Sequence, residues 1–316
     1  MSDWKILIAD GLKEAGQVIL QSAVGVAEVH DLNGISPQEL LEVIAQYHAL
    51  IVRSRTRVNA QVIAAASSLK VVGRAGVGVD NIDLAAAQGN LVTVVNSPVA
   101  TTVAVAEHTM ALMLALIRSI PAADCAMKSG QWTKKQLVGA ELNGKVLGII
   151  GMGRIGAAVG IRAAAFGMHI LGYDPFLPAD EIRKRGAEPV ELTALYARSD
   201  MISLHMPLSP DTRNMLDGQA FGHMQRGVRL VCAARGGIID ETALLAAIES
   251  GQVAGAALDV FKDEPPGLTA LVSHPNVVAT PHIGAQTAEA QIRAAVDIAN
   301  EILAALRNEP LRWKII

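Results

Sequence analysis

The chain has 316 residues, of which 51% are hydrophobic and 18% charged, and its formal net charge is −3. This length favours two domains of roughly 150 residues each, and the small net charge argues against a broad nucleic-acid-binding surface. Two cysteines, Cys125 and Cys232, cannot build a disulfide framework and show no zinc-ligand spacing. We therefore expect a cytoplasmic protein with small-molecule partners and no metal site.

The sequence predicts neither a secretory signal at the N-terminus nor a membrane-spanning helix. Met1 to Lys5 run straight into an apolar stretch without a basic region or cleavage site, so no secretory signal is expected. The most membrane-like segment, Val94 to Ile117, carries Glu107 and His108 near its middle, where charge in hydrocarbon is costly. The sequence predicts a buried helix there.

Short apolar runs separated by helical patterns predict β-α-β units in the first third of the chain. The predicted strands are Lys5–Asp10, Val26–His30, Ala49–Val52, Val71–Val72 and Leu91–Val95. One long helix is predicted from Val99 to Ile120, ending before Pro121 and able to bridge two domains.

A second β-α series begins at Lys145–Ile150 and runs to about Pro281. Its other predicted strands are His169–Tyr173, Met201–Leu204, Val228–Val231, Ala254–Leu258 and Val277–Ala279. Nearly continuous apolar strands joined by helices predict a parallel sheet covered on both faces, and so the α/β class. A last helix, about Thr287 to Leu306, could pack back on the first domain, although the pattern alone does not place it.

The loop Gly151-Met-Gly153-Arg-Ile-Gly156 lies between a predicted strand and a helix from about Arg154 to Phe166. A glycine-rich turn alone is weak evidence for dinucleotide binding, but a turn between a strand and a helix is typical of a dinucleotide-binding fingerprint. Gly151 would permit the tight turn, Gly153 the approach of a pyrophosphate, and Gly156 close packing of helix on strand.

An acid, Asp174, ends the next predicted strand and follows Gly151 by 23 positions, near the roughly 20 expected for a ribose ligand. It favours NAD over NADP, because a carboxylate repels a 2′-phosphate and no arginine stands at positions 175–177. The alternative is a glycine turn with an incidental surface aspartate. The other glycine cluster, Gly73-Arg-Ala-Gly76-Val-Gly78, lacks the spacing and suits a backbone anion cradle.

Three unlike polar residues, Arg235, Glu264 and His282, each follow a predicted strand in the second series. Alone, Arg235 could cap a helix, Glu264 could be a solvated loop charge, and His282 could be structural. Together they offer a cation that binds a carboxylate, a proton donor or acceptor, and a group that adjusts the proton affinity of that donor or acceptor. Hydride transfer at a hydroxy-acid carbon requires all three.

At these residues the chain resembles the D-2-hydroxyacid dehydrogenases, and most closely the branch that oxidises phosphoglycerate, over nearly its whole length. The motifs that carry the resemblance are Gly73-Arg-Ala-Gly-Val-Gly-Val-Asp-Asn81, Trp132-Thr-Lys-Lys, Glu141 to Gly156, Tyr173-Asp-Pro175, Ala234-Arg-Gly-Gly-Ile-Ile-Asp240, Ala257-Leu-Asp-Val-Phe261 and Pro281-His-Ile-Gly284.

The resemblance implies two Rossmann-like, doubly wound parallel-sheet domains with a cleft between them. Residues 1–98 plus 287–316 would form a discontinuous, flavodoxin-like substrate-binding domain, and residues 99–286 the NAD-binding domain. It also implies a homodimer.

The resemblance further implies roles for individual residues. Arg235 would hold the carboxylate and carbonyl oxygen of the substrate. His282 would exchange the hydroxyl proton with the substrate. Glu264 would be the partner of His282, since a nearby carboxylate favours imidazolium. Asp259 would lie near the nicotinamide carboxamide. The implied cofactor-binding residues are Gly151, Gly153, Arg154, Ile155, Gly156, Asp174, Met206, Pro207, Thr212, Ala233, Asp259 and Gly284.

For the substrate, backbone groups around Val77 and Gly78 are implied to receive the carboxylate. Candidates for a phosphate or other second anion are Arg53, Arg74 and Lys134, and Lys134 could act on the neighbouring subunit. The alternative is that Arg53, Arg55 and Arg57 share one face of an extended chain and simply protect a sheet edge.

Two departures from the family pattern bear on these expectations. Val99-Ala-Thr-Thr102 stands where the phosphoglycerate branch carries a Gly-Asn pair beside the substrate, which puts the substrate in doubt. Cys232 replaces an asparagine, a change expected to affect packing rather than the reaction. Because the chain ends soon after its last helix, no serine-binding regulatory domain and no feedback inhibition through one are expected.

The leading expectation is oxidation of D-3-phosphoglycerate to 3-phosphohydroxypyruvate with NAD, a step of serine biosynthesis, or the reverse. Glyoxylate, hydroxypyruvate, lactate or a sulfonated analogue remain alternative substrates. Formate is disfavoured, because that branch of the family pairs its histidine with glutamine rather than a residue like Glu264. An NADH-sensing protein similar to the co-repressors of this fold is the alternative from another class.

Overall fold

The computed structural model describes residues 3–316. The strands of this range are β1 (Trp4–Ile8), β2 (Val26–Asp31), β3 (Ala49–Val52), β4 (Val71–Arg74), β5 (Thr93–Asn96), β6 (Val146–Ile150), β7 (His169–Tyr173), β8 (Glu188–Pro189), β9 (Met201–Leu204), β10 (Val228–Cys232), β11 (Val253–Leu258) and β12 (Val277–Ala279). The α-helices are α1 (Glu14–Gln21), α2 (Pro37–Val43), α3 (Ala60–Ala65), α4 (Leu84–Gly89), α5 (Thr102–Ile117), α6 (Ile120–Lys128), α7 (Arg154–Ala165), α8 (Ala179–Lys184), α9 (Leu192–Arg198), α10 (Gly218–His223), α11 (Glu241–Glu249) and α12 (Ala288–Leu306).

The chain forms two compact units, one of residues 3–101 with 286–316 and one of residues 102–285. These boundaries lie close to the predicted ones at 98/99 and 286/287, and the assignment of the units to substrate and cofactor stays a prediction. The prediction that no secretory signal is present rests partly on Met1 and Ser2, which lie outside the described residues.

The first unit is a parallel sheet in the order β2-β1-β3-β4-β5. Side chains alternate between its faces, so that Ile6 and Ile8 of β1 pack with α1 and α12, whereas Leu7 packs with α2 and α3. Helices thus cover both faces, in the flavodoxin-like strand order, which reverses between β1 and β3. The last helix, whose position the sequence left open, packs against α1 and β4 of this unit.

The second unit is a parallel sheet in the order β12-β11-β10-β9-β6-β7-β8. Counted from its own first strand this order is 3-2-1-4-5-6-7, which is the dinucleotide-binding arrangement with one added strand, and it reverses between β6 and β9. Leu147 packs with α5 and α7 on one face, and Ile150 packs with α10 and α11 on the other. The predicted α/β class and parallel sheets are confirmed.

The helix predicted from Val99 to Ile120 is wrong at both ends. The chain forms α5, half of whose sixteen residues are buried, then turns at Ser119, which has a left-handed φ of 51°, and continues as α6. Pro121 lies in the first turn of α6 rather than after a helix end. Proline is tolerated there because it has no N–H group, and the N–H groups of a first turn have no partner within the helix.

Within residues 3–316, no helix taken singly has the length and apolar composition needed to cross a membrane. The pair α5 and α6 meets both criteria when the two are joined, although they are bent by 66°.

Candidate active site

The glycine loop lies directly between β6 and α7, at the reversal of strand order in the second sheet. Gly151 has a φ of +94°, and a Cβ there would lie 2.5 Å from the carbonyl oxygen of His205. A Cβ on Gly156 would overlap the carbonyl oxygen of Gly151. Both positions require glycine, because neighbouring main chain lies against them.

Gly153 serves a different purpose from the other two glycines. It is the N-cap of α7, and a Cβ built on it would meet no heavy atom within 4 Å. The first helical residues are Arg154 and Ile155, and no acidic side chain lies in the first turn. This helix start fits a dinucleotide pyrophosphate, because its N–H groups and dipole favour an anion and glycine leaves room for one.

Asp174, directly after β7, lies beside this loop. Its Oδ2 accepts a hydrogen bond from the N–H of Met152 at 3.0 Å, and its Oδ1 accepts one from the N–H of Phe176 at 3.0 Å. The carboxylate is therefore held next to the glycine loop, a position that suits the predicted ribose contact.

Four other predicted cofactor residues lie along the same edge of the sheet. Met206 and Pro207 follow β9, the neighbour of β6, and Ala233 follows β10. Thr212 donates its hydroxyl to the carbonyl oxygen of Pro207 at 2.7 Å and accepts the N–H of Ser209 at 2.7 Å, which closes the loop after β9. Ligands of open α/β sheets bind at this edge, outside the carboxyl ends of the strands.

Glu264 and His282 form a direct pair on that edge, beyond β11 and β12. Nδ1 of His282 lies 2.8 Å from Oε2 of Glu264, and the two side chains are 43% and 38% exposed. The other carboxylate oxygen of Glu264 accepts the N–H of Phe261 at 3.1 Å. Because Glu264 engages Nδ1, Nε2 of His282 is the ring nitrogen placed to exchange a proton with another molecule.

Arg235 lies in the loop after β10, the neighbour of β11. Its Nη1 donates to the carbonyl oxygen of Ala234 at 2.7 Å. A Cβ on the next residue, Gly236, would overlap the carbonyl group of Phe261. The Arg235 loop is thus in main-chain contact with the loop that carries Glu264.

A buried network lies behind His282. Asp259 is 1% exposed, and its Oδ1 accepts hydrogen bonds from the hydroxyl of Thr280 at 2.6 Å and the N–H of Ile283 at 2.9 Å. Its Oδ2 accepts the N–H of Gly284 at 2.8 Å, and Nε2 of His108 lies 3.2 Å from Oδ1. Burial raises the pKa of Asp259, but these hydrogen bonds outweigh it and hold the pKa below its usual value.

This network fixes the main chain of His282, which has a left-handed φ of 52°. The N–H of His282 donates to the carbonyl oxygens of Asp259 at 2.9 Å and Thr280 at 3.0 Å. Asp259 therefore supports the loop that carries His282, in addition to the cofactor contact predicted for it. The roles of Thr280 and His108 could not be predicted from the sequence, because their partner Asp259 is remote in the chain.

The predicted anion ligands fall in both units. Arg53 follows β3 and Arg74 ends the neighbouring β4, so both stand at one edge of the first sheet. Val77 and Gly78 follow β4, and the side chain of buried Asn96 donates to the carbonyl oxygen of Val77 at 2.6 Å. Lys134 is an exposed residue of a 3₁₀ turn in the second unit.

The alternative, in which Arg53, Arg55 and Arg57 share one face of an extended chain, is wrong. β3 ends at Val52 and the chain then bends. The guanidinium of Arg55 lies 3.0 Å from the carboxylate of Asp10, so it serves as an ion-pair partner rather than as part of a basic row.

The structure shows the contacts of the two departures from the family pattern, Cys232 and the segment Val99 to Thr102. Cys232 is buried at the end of β10, where its Sγ lies 3.8 Å from the carbonyl oxygen of Arg235, and burial raises its pKa to about 11. A protonated, buried thiol is consistent with the packing role predicted for it. Val99 is exposed, and the carbonyl oxygen of Ala100 accepts a hydrogen bond from Nε of Arg293 at 3.0 Å.

Comparison with known proteins identifies the family. The sequence model of the D-isomer specific 2-hydroxyacid dehydrogenase NAD-binding domain matches residues 110–284, which include the glycine loop and the His282 loop. The chain belongs to the D-isomer specific 2-hydroxyacid dehydrogenase family. This is a family of NAD-dependent oxidoreductases, and the matched domain is the one that binds NAD.

Relatives in this family match almost all of the chain's length. The chain is 44% identical over 98% of its residues to D-3-phosphoglycerate dehydrogenase of Synechocystis sp., and 47% identical over 96% to that of Methanocaldococcus jannaschii. It covers only 55% and 58% of those two proteins, so it spans a little more than half the length of these curated relatives. A solved glyoxylate reductase from Paecilomyes thermophila is 30% identical, with a TM-score of 0.91 over 100% of this chain and 99% of that one.

Proposed function

We propose that the protein catalyses NAD-dependent interconversion of a D-2-hydroxy acid and its 2-keto acid, with D-3-phosphoglycerate and 3-phosphohydroxypyruvate as the pair. The observation that carries the proposal is the 2.8 Å contact between His282 and Glu264 on the sheet edge where the glycine loop lies. The substrate pair is supported by relatives that are named D-3-phosphoglycerate dehydrogenase and are 44–47% identical.

NAD, when bound, supplies the site that accepts or delivers hydride. His282 handles the accompanying proton at Nε2: as imidazolium it donates to the keto oxygen during reduction, and as neutral imidazole it accepts the hydroxyl proton during oxidation. Glu264 accepts a hydrogen bond from Nδ1–H of His282, which orients the ring. Arg235 binds the carboxylate and the neighbouring oxygen of the substrate through its planar guanidinium.

The two units would divide the binding of the two ligands. We assign the cofactor to the second unit, with Asp174 conferring a preference for NAD because its carboxylate disfavours a 2′-phosphate. We assign the substrate anions to Val77 and Gly78 through backbone N–H groups, and to Arg53 and Arg74 through their guanidinium groups.

A homodimer in the cytoplasm is part of the same proposal. Helix α6 has no buried residue, and the exposed apolar side chains in and after it include Ile120, Met127, Trp132 and Val138. Such a patch suits a second copy of the chain, and Lys134, which lies between Trp132 and Val138 in the same stretch, would act on the partner's substrate. Both cysteines are free thiols, as expected in a reducing compartment.

Steady-state reduction of a panel of keto acids tests the proposal. The panel comprises 3-phosphohydroxypyruvate, hydroxypyruvate, glyoxylate and pyruvate, each with NADH and with NADPH. We expect the highest kcat/KM for 3-phosphohydroxypyruvate with NADH. A clearly higher value for another acid would reject the substrate, and tight NADH binding without turnover of any acid would indicate a binding protein instead.

A further inference from the structure

The segment of residues 53–56 lies where the strand order of the first sheet reverses. Asp10 follows β1 and Arg53 follows β3, and the order reverses between these two strands. Open α/β sheets bind ligands at such a point, outside the carboxyl ends of the strands. The surroundings of Arg53 therefore matter for binding as well as for the fold.

Two side chains hold the main chain of this segment. The carboxylate of Asp10 accepts the N–H of Arg53 at 2.7 Å and that of Thr56 at 3.1 Å. The side-chain amide of Asn81 donates to the carbonyl oxygens of the same two residues, at 2.9 Å and 2.6 Å. Both main-chain polar groups of Arg53, and both of Thr56, are thus fixed by residues remote in the chain.

The arrangement requires a carboxylate to be taken out of water. The Asp10 side chain is 4% exposed, and burying a charge is costly unless hydrogen bonds and an opposite charge compensate it. The hydroxyl of Thr56 donates to Oδ1 at 2.5 Å, and the guanidinium of Arg55 lies 3.0 Å away. Burial raises the pKa of Asp10, but its hydrogen bonds hold that pKa below the usual value, so the group is ionised at neutral pH.

The two arginines of the segment are consequently not equivalent. The charge of Arg55 is compensated by Asp10, and its Nη2 also donates to the carbonyl oxygen of Ala9 at 2.6 Å. The guanidinium of Arg53 instead makes a long contact, 3.5 Å, with the neutral amide oxygen of Gln286. Among residues 3–316 no carboxylate forms an ion pair with Arg53, which makes it the arginine suited to an anionic ligand.

We propose that Asp10 and Asn81 are positioning residues, which hold Arg53 so that its guanidinium meets the second anionic group of the substrate, its phosphate. This inference rests on the proposed function and deepens it. Neither residue would touch the substrate. Together they would set the preference for a phosphorylated acid over the same acid without phosphate, because the gain from a charge-assisted contact depends on a fixed geometry.

The test compares the full-length wild type with Asp10→Asn and Asn81→Ala on two substrates, 3-phosphohydroxypyruvate and hydroxypyruvate. We expect each variant to lower the ratio of the two kcat/KM values by about tenfold, mainly through KM for the phosphorylated acid. Hydroxypyruvate turnover and the Kd of NADH should stay near the wild-type values. Hydrogen exchange of the Arg53 and Thr56 amides should be faster in Asp10→Asn.

Asp31→Asn is the matched control, since Asp31 ends β2 in the same unit and accepts the N–H of Asn33 at 3.1 Å. It should leave the ratio unchanged. An equal loss for both acids would mean a merely structural role and would overturn the inference, as would an unchanged ratio in Asp10→Asn. If the wild type itself does not prefer the phosphorylated acid, the proposed substrate is wrong and the inference falls with it.

Discussion

His282 has a backbone conformation that a residue other than glycine seldom adopts, with a φ of 52°. Such a conformation costs free energy and persists only where the surroundings enforce it. Here the enforcement comes from Asp259, whose carboxylate and carbonyl oxygen together bind the main chain at His282, Ile283 and Gly284. The position of the histidine is therefore a property of the buried aspartate beneath it.

Asp259→Asn should reduce stability in a way that depends on pH. The folded protein holds the pKa of Asp259 below its ordinary value of 3.8, so the ionised group stabilises the fold above that pH. The stabilisation is lost as pH falls through the lower, folded-state pKa. We therefore expect the variant to have a smaller free energy of unfolding than the wild type at neutral pH, and a difference that shrinks below about pH 4.

Urea unfolding at several pH values measures this difference. Asp263→Asn, a change in an exposed loop residue of the same unit, is the control and should show little effect at any pH. A deficit of Asp259→Asn that stays constant down to the acid end of the range would contradict this role of the carboxylate.

Candidate residues that directly follow strands could be predicted from the sequence, whereas the residues that hold them in position could not. Arg235, Glu264 and His282 were identifiable because they follow apolar strands that must end at one sheet edge. The partnership of His108 with Asp259 was not, since 151 positions separate the two residues and only the packing of α5 brings them together. Asp10 and Asn81 were missed for the same reason.

At the scale of elements, the junction of β6 and α7 uses its three glycines for two different purposes. Gly151 and Gly156 allow main chain to approach main chain, whereas Gly153 leaves open space at the helix start. Loss of the first two would disturb folding. Loss of the third would disturb only what binds in that space.

Gly153→Ala should therefore fold normally and bind NADH poorly. Its φ of −68° suits alanine and nothing lies within 4 Å of the added Cβ, so Tm should stay near the wild-type value. The methyl group would occupy the space for the pyrophosphate, and we expect the Kd of NADH to rise by about tenfold or more.

Calorimetric titration with NADH, together with thermal unfolding, measures both quantities. Gly222→Ala adds a Cβ in equally open space within α10 and should change neither. Unchanged NADH affinity in Gly153→Ala would place the pyrophosphate elsewhere.

Most elements followed from hydrophobic periodicity, and the exceptions have local causes. The strands of the second unit were predicted almost to the residue because they are continuous apolar runs. The two-residue strand β8, Glu188–Pro189, carries no such run and was missed. The C-terminal end of helix α5 was predicted too late because Pro121 was taken as the residue that ends a helix, whereas it lies in the first turn of the next one.

At the scale of the whole molecule, each sheet carries some of its candidate residues where its strand order reverses. In the first sheet these are Asp10 and Arg53, and in the second the glycine loop and Met206. Strand order depends on which strands pair, which the alternation of apolar residues does not specify. The sequence therefore predicted the α/β class from its apolar pattern and two domains from its length, whereas the domain boundaries were implied only by the family resemblance.

Hybrid dimers test the proposed quaternary structure and the role of Lys134 together. We expect Lys134→Ala and His282→Ala each to be impaired as homodimers, and a mixture of the two refolded together to regain activity. In the hybrid, one site would combine an intact His282 with Lys134 of the other copy. A monomer by light scattering, or a mixture no more active than its components, would contradict the proposal.

The central claim, that Nε2 of His282 exchanges the substrate proton, is tested most directly by the kcat of His282→Ala with 3-phosphohydroxypyruvate and NADH. We expect a kcat lower by about 10²- to 10⁴-fold with NADH affinity largely intact, because the ring acts on the substrate proton alone. His223→Ala, at an exposed position of the same unit, should keep wild-type turnover. Retention of wild-type kcat by His282→Ala would contradict this role of the histidine.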